Sequence, residues 1–128
     1  MTDCPFCRRI AAAEIILGND LAVAMYDGYP VSPGHTLIVP LRHIADFLAM
    51  TQEEQASVWA LVAPVRRNIE KDHSPDGYNI GVNIGAAGGQ TVPHAHLHVI
   101  LRYAGDVEDP RGGIRWVIRA RAPYWQKL

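Results

Sequence analysis

The segment "PHAHLHVIL", residues 93–101, constrains this chain more than any other. His94, His96 and His98 fall at every second position, with Ala95, Leu97 and Val99 between and after them. Successive side chains on a β-strand point to opposite faces. The spacing therefore predicts a strand over 95–101, with three imidazoles on one face and an apolar set turned to a core. Such a strand needs partners. "YNIGVNIG", 78–85, predicts one, antiparallel across the Gly-rich turn "GAAGGQT", 85–91. "LAVAMYD", 21–27, and "HTLIVP", 35–40, predict two more, separated by the turn-forming stretch "GYPVSPG". A further strand is expected at 114–118.

Helical spacing is clearest over 51–72. Val58, Leu61, Val62, Val65 and Ile69 recur on one helix face. Thr51 followed by Glu54 gives a capping box at the start. Pro64 lies inside the pattern; it lacks a backbone donor, so a kink or a division is expected. Short helices are expected at 5–13, with Pro5 in the first turn, and at 43–50. Strands, a long helix, then strands again predict an α+β fold: an antiparallel sheet of about five strands with one long helix and short helices. The length of 128 residues fits one domain, 1–128, with a turn-rich tail from about residue 103.

Charge and hydropathy narrow the function classes. The formal net charge is −1 and no basic stripe stands out, so no nucleic-acid polymer is expected as partner. No run of 18 apolar residues appears, so no membrane span is expected. "MTDCPFCRRIAAAEIIL" lacks the order of a signal peptide, and a cytoplasmic location is the expectation. In a reducing compartment, Cys4 and Cys7, spaced C-x-x-C, read as a metal pair or a redox pair rather than a structural disulfide.

Geometry limits what the histidine row can do. Residues two apart on a strand are separated by about 6.6 Å, so the outer imidazoles stand about 13 Å apart. A Zn–N bond is about 2 Å. Two neighbours can converge on one ion, but three in a straight row cannot easily do so. At least one histidine is left for other work, and a neutral imidazole is a natural nucleophile or general base near neutral pH. The glycines just before the strand offer backbone N–H groups for an anion, with Gln90 and Thr91 at the edge. An anion cradle beside a histidine row points to phosphate chemistry. The structural alternative is a set of surface or core histidines.

"HAHLHVI" resembles the signature of the histidine triad (HIT) family, His-φ-His-φ-His-φ-φ with φ apolar. The context resembles it too: Asn83 followed by "IGAAGGQTVPHAHLH", the block "DGYPVSPGHTLIVPLRHIADF" at 27–47, and "CPFCRRI" near the start, as in many bacterial members. Together these cover most of residues 4–103. Ala95 departs from the pattern, standing where a larger apolar residue is usual. The resemblance implies a nucleotide hydrolase or transferase acting at the α-phosphate of dinucleoside polyphosphates or nucleoside phosphoramidates. His96 would be the nucleophile and form a nucleotidyl-histidine intermediate. His98 would hold phosphate oxygens or assist the leaving group, and the His94 carbonyl would fix the tautomer of His96. Asp27 would accept from the ribose hydroxyls of a purine nucleotide, although an Asp before "GYP" also suits a turn. His35, Asn83, Gly89, Gln90 and Thr91 match positions lining the site. Cys4, Cys7, His43 and His94 would hold a structural zinc, and the protein would be a homodimer. Trp116, Tyr124 and Trp125 are of a type that suits either an interface or a core. Two other readings stand beside the hydrolase: a nucleotide-binding or interaction protein with weak catalysis, and a dinucleoside polyphosphate phosphorylase.

Overall fold

The computed structural model describes residues 3–127, so the single-domain expectation of 1–128 runs past it at both ends. Five antiparallel strands form one sheet in the order β1-β2-β3-β5-β4. They are β1 (Leu17–Gly18), β2 (Ala22–Tyr26), β3 (Thr36–Pro40), β4 (Gly77–Val82) and β5 (Leu97–Arg102). β5 lies inside the sheet, with Leu37 opposite His98 on one side and Gly81 opposite His98 on the other. The α+β class expected from the sequence is the fold observed.

Each face of the sheet is covered differently. On one face Ala22, Ala24, Ile38, Leu97, Val99 and Leu101 pack against Val58, Leu61, Val65 and Ile69, the apolar side of the helical region. On the other, Val23, Met25, Leu37 and Val39 pack against Cys4 and Phe6, at the start of helix α1 (Pro5–Ala11). The histidines share this second face, so the first core supports them from behind and α1 flanks them from the front.

The helical region is divided into α2 (Gln52–Ala60) and α3 (Val62–Ile69). The break follows from Pro64. Its ring excludes the carbonyl four residues back, that of Ala60, which is the last residue of α2. The capping box holds as expected: Thr51 Oγ1 accepts from the Glu54 N–H at 3.0 Å, and Glu54 Oε1 accepts from the Thr51 N–H at 3.0 Å. Arg42 then grips the same carboxylate at 2.6 and 3.0 Å. This ties the 41–46 turn to the helix.

Two sequence expectations need correction. β5 begins at Leu97, not at residue 95, because Pro93 has no N–H and the Ala95 N–H donates to the Ile44 carbonyl, away from the sheet. Only His98 is therefore within the paired strand. Residues 114–118 do not form a strand; Gly113–Val117 is a 3-10 turn. Gly112 and Gly113 enter it at positive φ, a bend few other residues adopt, and Ile114, Val117 and Ile118 stay exposed.

Candidate active site

His96 is 6% exposed and His94 is fully buried. Their rings follow one another beside Phe6, with centroids 5.1 and 5.7 Å from its ring, and His98 lies 5.0 Å beyond His96. Phe6 was not picked out from the sequence; its place inside C-P-F-C, between the two thiols, was the available signal.

Backbone groups fix the protons of this row. A carbonyl only accepts, so an imidazole nitrogen facing one carries a proton; an amide N–H only donates, so a nitrogen facing one is bare. His94 Nε2 lies 2.8 Å from the Pro40 carbonyl, so it carries the proton and Nδ1 is bare. His96 Nδ1 lies 2.8 Å from the His94 carbonyl, which leaves His96 Nε2 bare. His35 Nδ1 accepts from the Val31 N–H at 3.2 Å, so its proton is on Nε2. That Nε2 sits 3.0 Å from His98 Nδ1 and 3.3 Å from Asp27 Oδ2. His98 thus accepts at Nδ1 and carries its proton on Nε2.

Burial favours the neutral form of His94, His35 and His98. It lowers His94 from the ordinary imidazole value, against the Pro40 carbonyl, which raises it. Burial also lowers His35, partly offset by Asp27. His98 is pushed down to about 4, by burial first and then by His96 and His35. The hydrogen bonds therefore divide the row: the nitrogen His96 leaves without a partner is Nε2, and His98 turns an N–H outward.

Asp27 is half-buried. Its Oδ1 accepts from the Tyr29 N–H at 2.8 Å, an Asx turn, while Oδ2 faces His35. Asp27 thus makes the turn and also lies beside His35 and His98.

The Gly-rich loop is less open than its composition suggests. Ala86–Gly88 is a 3-10 turn, and the N–H groups of Gly88, Gly89 and Gln90 donate to the carbonyls of Gly85 and Ala86. Gln90 braces the loop: its Oε1 accepts from the Gly85 N–H at 3.0 Å, and its Nε2 donates to the carbonyls of Ala45 and Val92 at 2.8 and 3.1 Å. Asn83 lies against Gly89, whose φ is +95°. Asn83 and Thr91 are exposed, and their side chains make no hydrogen bond among the described residues. They are the side-chain donors that face solvent at this edge.

At the other end of the row Cys4, Cys7, His43 and His94 converge, with all four donor atoms within 4.8 Å of one another. Cys4 Sγ and Cys7 Sγ stand 3.4 and 3.5 Å from His94 Nδ1, and Cys7 Sγ stands 3.4 Å from His43 Nδ1. These four residues could hold a metal ion. Bonds of about 2.3 Å to sulfur and 2.0 Å to nitrogen in a tetrahedron give S···N edges of about 3.5 Å, close to those observed. The bare nitrogen of His94 faces the thiols because its other nitrogen donates to the Pro40 carbonyl, a bond that fixes the ring's orientation towards an ion. Both cysteines are free thiols, and burial beside Cys4 raises Cys7 above its ordinary value.

Known proteins share this architecture. The family model described as the HIT domain matches residues 8–105. The chain is 34% identical over 93 residues to an AP-4-A phosphorylase of Mycobacterium tuberculosis, covering 72% of this chain and 48% of that protein. It is 32% identical over 104 residues to the asymmetrical bis(5'-nucleosyl)-tetraphosphatase of Schizosaccharomyces pombe, covering 81% of this chain and 57% of that protein. The chain thus spans about half the length of these two relatives. The crystal structure of a HIT family protein from Bacillus anthracis superposes with a TM-score of 0.73 at 34% identity, covering 79% of this chain and 74% of that one.

Proposed function

This chain belongs to the HIT family, and we propose that it is an enzyme cleaving nucleotides at the α-phosphate through a covalent intermediate on His96. The observation that carries this reading is the bare Nε2 of His96, set by the 2.8 Å bond from its Nδ1–H to the His94 carbonyl. In the first step the Nε2 lone pair forms a bond to the α-phosphorus, and the bond from phosphorus to the leaving group breaks. The leaving group departs with that electron pair, with the His98 Nε2–H as donor to its oxygen or nitrogen. In the second step water forms a P–O bond, the N–P bond breaks, and the mononucleotide leaves with the proton balance passed to solvent. Two modest displacements replace one hard one.

Asp27 and His35 act through His98. The Asp27 carboxylate and the Val31 N–H hold the His35 ring with its proton turned to His98 Nδ1, which keeps the His98 proton on the side of the reacting phosphate. Asp27 Oδ2 also suits acceptance from a ribose hydroxyl of a purine nucleotide. Asn83 and Thr91 donate to phosphate oxygens, while Gly89 and Gln90 shape the loop that presents them. In this reading Cys4, Cys7, His43 and His94 hold a zinc ion, which supplies structural cross-linking and no step of the reaction. The sheet edge at β4 suits pairing with a second copy in a homodimer. The chain acts as one domain, 1–128, in the cytoplasm; among the described residues no helix is long and apolar enough to cross a membrane.

A substrate panel tests the proposal. Diadenosine triphosphate, diadenosine tetraphosphate and an adenosine phosphoramidate are offered to the purified protein, with and without inorganic phosphate. Turnover of at least one is expected, and His96→Asn should lower kcat by about 10⁴-fold or more while nucleotide binding stays within a few-fold. Near-normal turnover in His96→Asn contradicts the assignment. The phosphate arm separates a hydrolase, which releases a mononucleotide, from a phosphorylase, which releases a nucleoside diphosphate.

A further inference from the structure

The segment 41–46, between β3 and the 3-10 turn Phe47–Ala49, has no regular secondary structure. Around it the chain nevertheless meets the site at four points. The Pro40 carbonyl accepts from His94 Nε2 at 2.8 Å, and His43 Nδ1 faces Cys7 Sγ at 3.4 Å. The Ile44 carbonyl accepts from the Ala95 N–H at 2.7 Å, and the Ala45 carbonyl accepts from Gln90 Nε2 at 2.8 Å. Arg42 turns instead to helix α2. Its guanidinium forks onto both oxygens of Glu54, the segment's one ion pair among the described residues. Glu54 is a fixed partner: the capping box at Thr51 holds it, and its side chain is only 7% exposed. Exposed ion pairs contribute little as a rule, but a bidentate fork on a buried, already oriented carboxylate fixes direction as well as charge.

We infer that Arg42 is a positioning residue for the nucleophile, acting through the Ile44 carbonyl on the backbone between His94 and His96. This rests on the nucleotide-cleaving reading above and adds a residue to it. Two of the other contacts have support of their own. Pro40 is held in the β3 ladder, opposite Ala22. Gln90 keeps the Val92 carbonyl and the Gly85 N–H if Ala45 shifts. Ala95 has less. It precedes β5, its side chain is a single methyl group, and its N–H is committed to Ile44. A shift at Ile44 therefore moves the His94 carbonyl, which sets the His96 tautomer, and moves His96 itself. The loop braced by Gln90 stays in place. The signature is a loss of kcat with little change in KM.

The test is a double-substitution cycle on the protein as purified: Arg42→Met, Glu54→Gln and the two combined. The substrate is diadenosine tetraphosphate or the adenosine phosphoramidate, whichever the unsubstituted protein turns over. Each single substitution should lower kcat about tenfold and keep KM within about threefold, since a 1 Å misplacement of reacting groups costs about 100-fold. The combined substitution should be no worse than either alone, because both break one link. Amide hydrogen exchange, read residue by residue by NMR, gives the structural half. Ala95 should lose protection in each variant by more than the amides of β5 do. A general loss of stability would instead lower all of them together, and thermal melting records it. Unchanged kcat, additive losses, or equal exchange at Ala95 and along β5 overturns the assignment. Failure of the nucleotide-cleaving reading looks different: the unsubstituted protein then turns over no substrate. The positioning role falls with it, while selective exchange at Ala95 still reports the link from Arg42 to Ile44.

Discussion

His94 and His98 stand at the two ends of one row, and each belongs to a cluster of potential metal donors: Cys4, Cys7, His43 and His94 at one end, Asp27, His35 and His98 at the other. Proximity alone does not tell the two apart; the placement of protons does. At the first end the Pro40 carbonyl holds the His94 proton and turns a bare nitrogen towards two thiols. At the second end the Val31 N–H occupies the bare nitrogen of His35, so what faces His98 and Asp27 is an N–H. A ring that presents a lone pair can bind a cation; one that presents a proton hands on a hydrogen bond. Similar residues, on one strand and its immediate neighbours, thus become a candidate metal clamp and a proton-orienting chain because of two backbone groups.

Separate substitutions sharpen this contrast. The largest effect is expected at the hydrogen-bonded end. His35→Leu removes the donor that fixes the His98 tautomer, and kcat should fall about 100-fold, the scale of a displaced acid–base group. Metal content, read by elemental analysis, should not change. If His35→Leu instead strips metal and spares kcat, the two ends have been assigned the wrong way round.

At the clamp the signs reverse. Purified protein should carry about one zinc per chain, and Cys4→Ser should lose it. Loss of a structural metal should lower Tm by about 10 °C, while kcat measured well below the melt changes less than about tenfold. Metal-free protein that melts unchanged would break the comparison.

The smallest effects concern pH. His98 folded sits near 4, below its unfolded value near 6.5, so the unfolded chain binds the extra proton first. Its contribution to stability is therefore present above pH 6.5 and falls away as pH drops towards 4. Glu54 follows at lower pH. Arg42, then the Thr51 N–H, hold its carboxyl down to about 2 against an ordinary 4.5, so its contribution is lost between pH 4.5 and 2. Chemical denaturation across pH should show the upper loss shrink in His98→Asn, with buried His35 and His94 carrying the remainder, and the lower one shrink in Glu54→Gln. The latter should cost about 1 kcal/mol at pH 7, as a weakened cap and ion pair.

Much of this was legible in the sequence because it depends on period and type. The alternation of His94, His96 and His98, the capping box at Thr51 and Glu54, and the Pro64 division all follow from local geometry. The donor cluster at Cys4, Cys7, His43 and His94 followed from resemblance, and the chain does bring those residues together. What the sequence hid are contacts made by backbone groups distant along the chain. Nothing in "HTLIVP" marks the Pro40 carbonyl as the partner of His94, and nothing in "GYPVSPG" marks the Val31 N–H as the partner of His35. The Gly-rich loop misled in the same way. Its glycines suggested open amides, yet the turn closes those of Gly88 and Gly89 on its own carbonyls, and the Gln90 side chain accepts from that of Gly85. The expected strand at 114–118 failed because Gly112 and Gly113 turn the chain at positive φ into a 3-10 turn, and its aliphatic residues stay exposed.

In the proposed mechanism His96 alone of the row attacks phosphorus. Rapid quenching of the protein with a diadenosine polyphosphate, followed by peptide mass spectrometry under conditions that preserve phosphoramidates, reads it directly. An adenylyl group on His96 that appears during turnover and is absent in His96→Asn is the expected result. An adduct on His94 or His98, or turnover in which no protein-bound nucleotide ever forms, would contradict it.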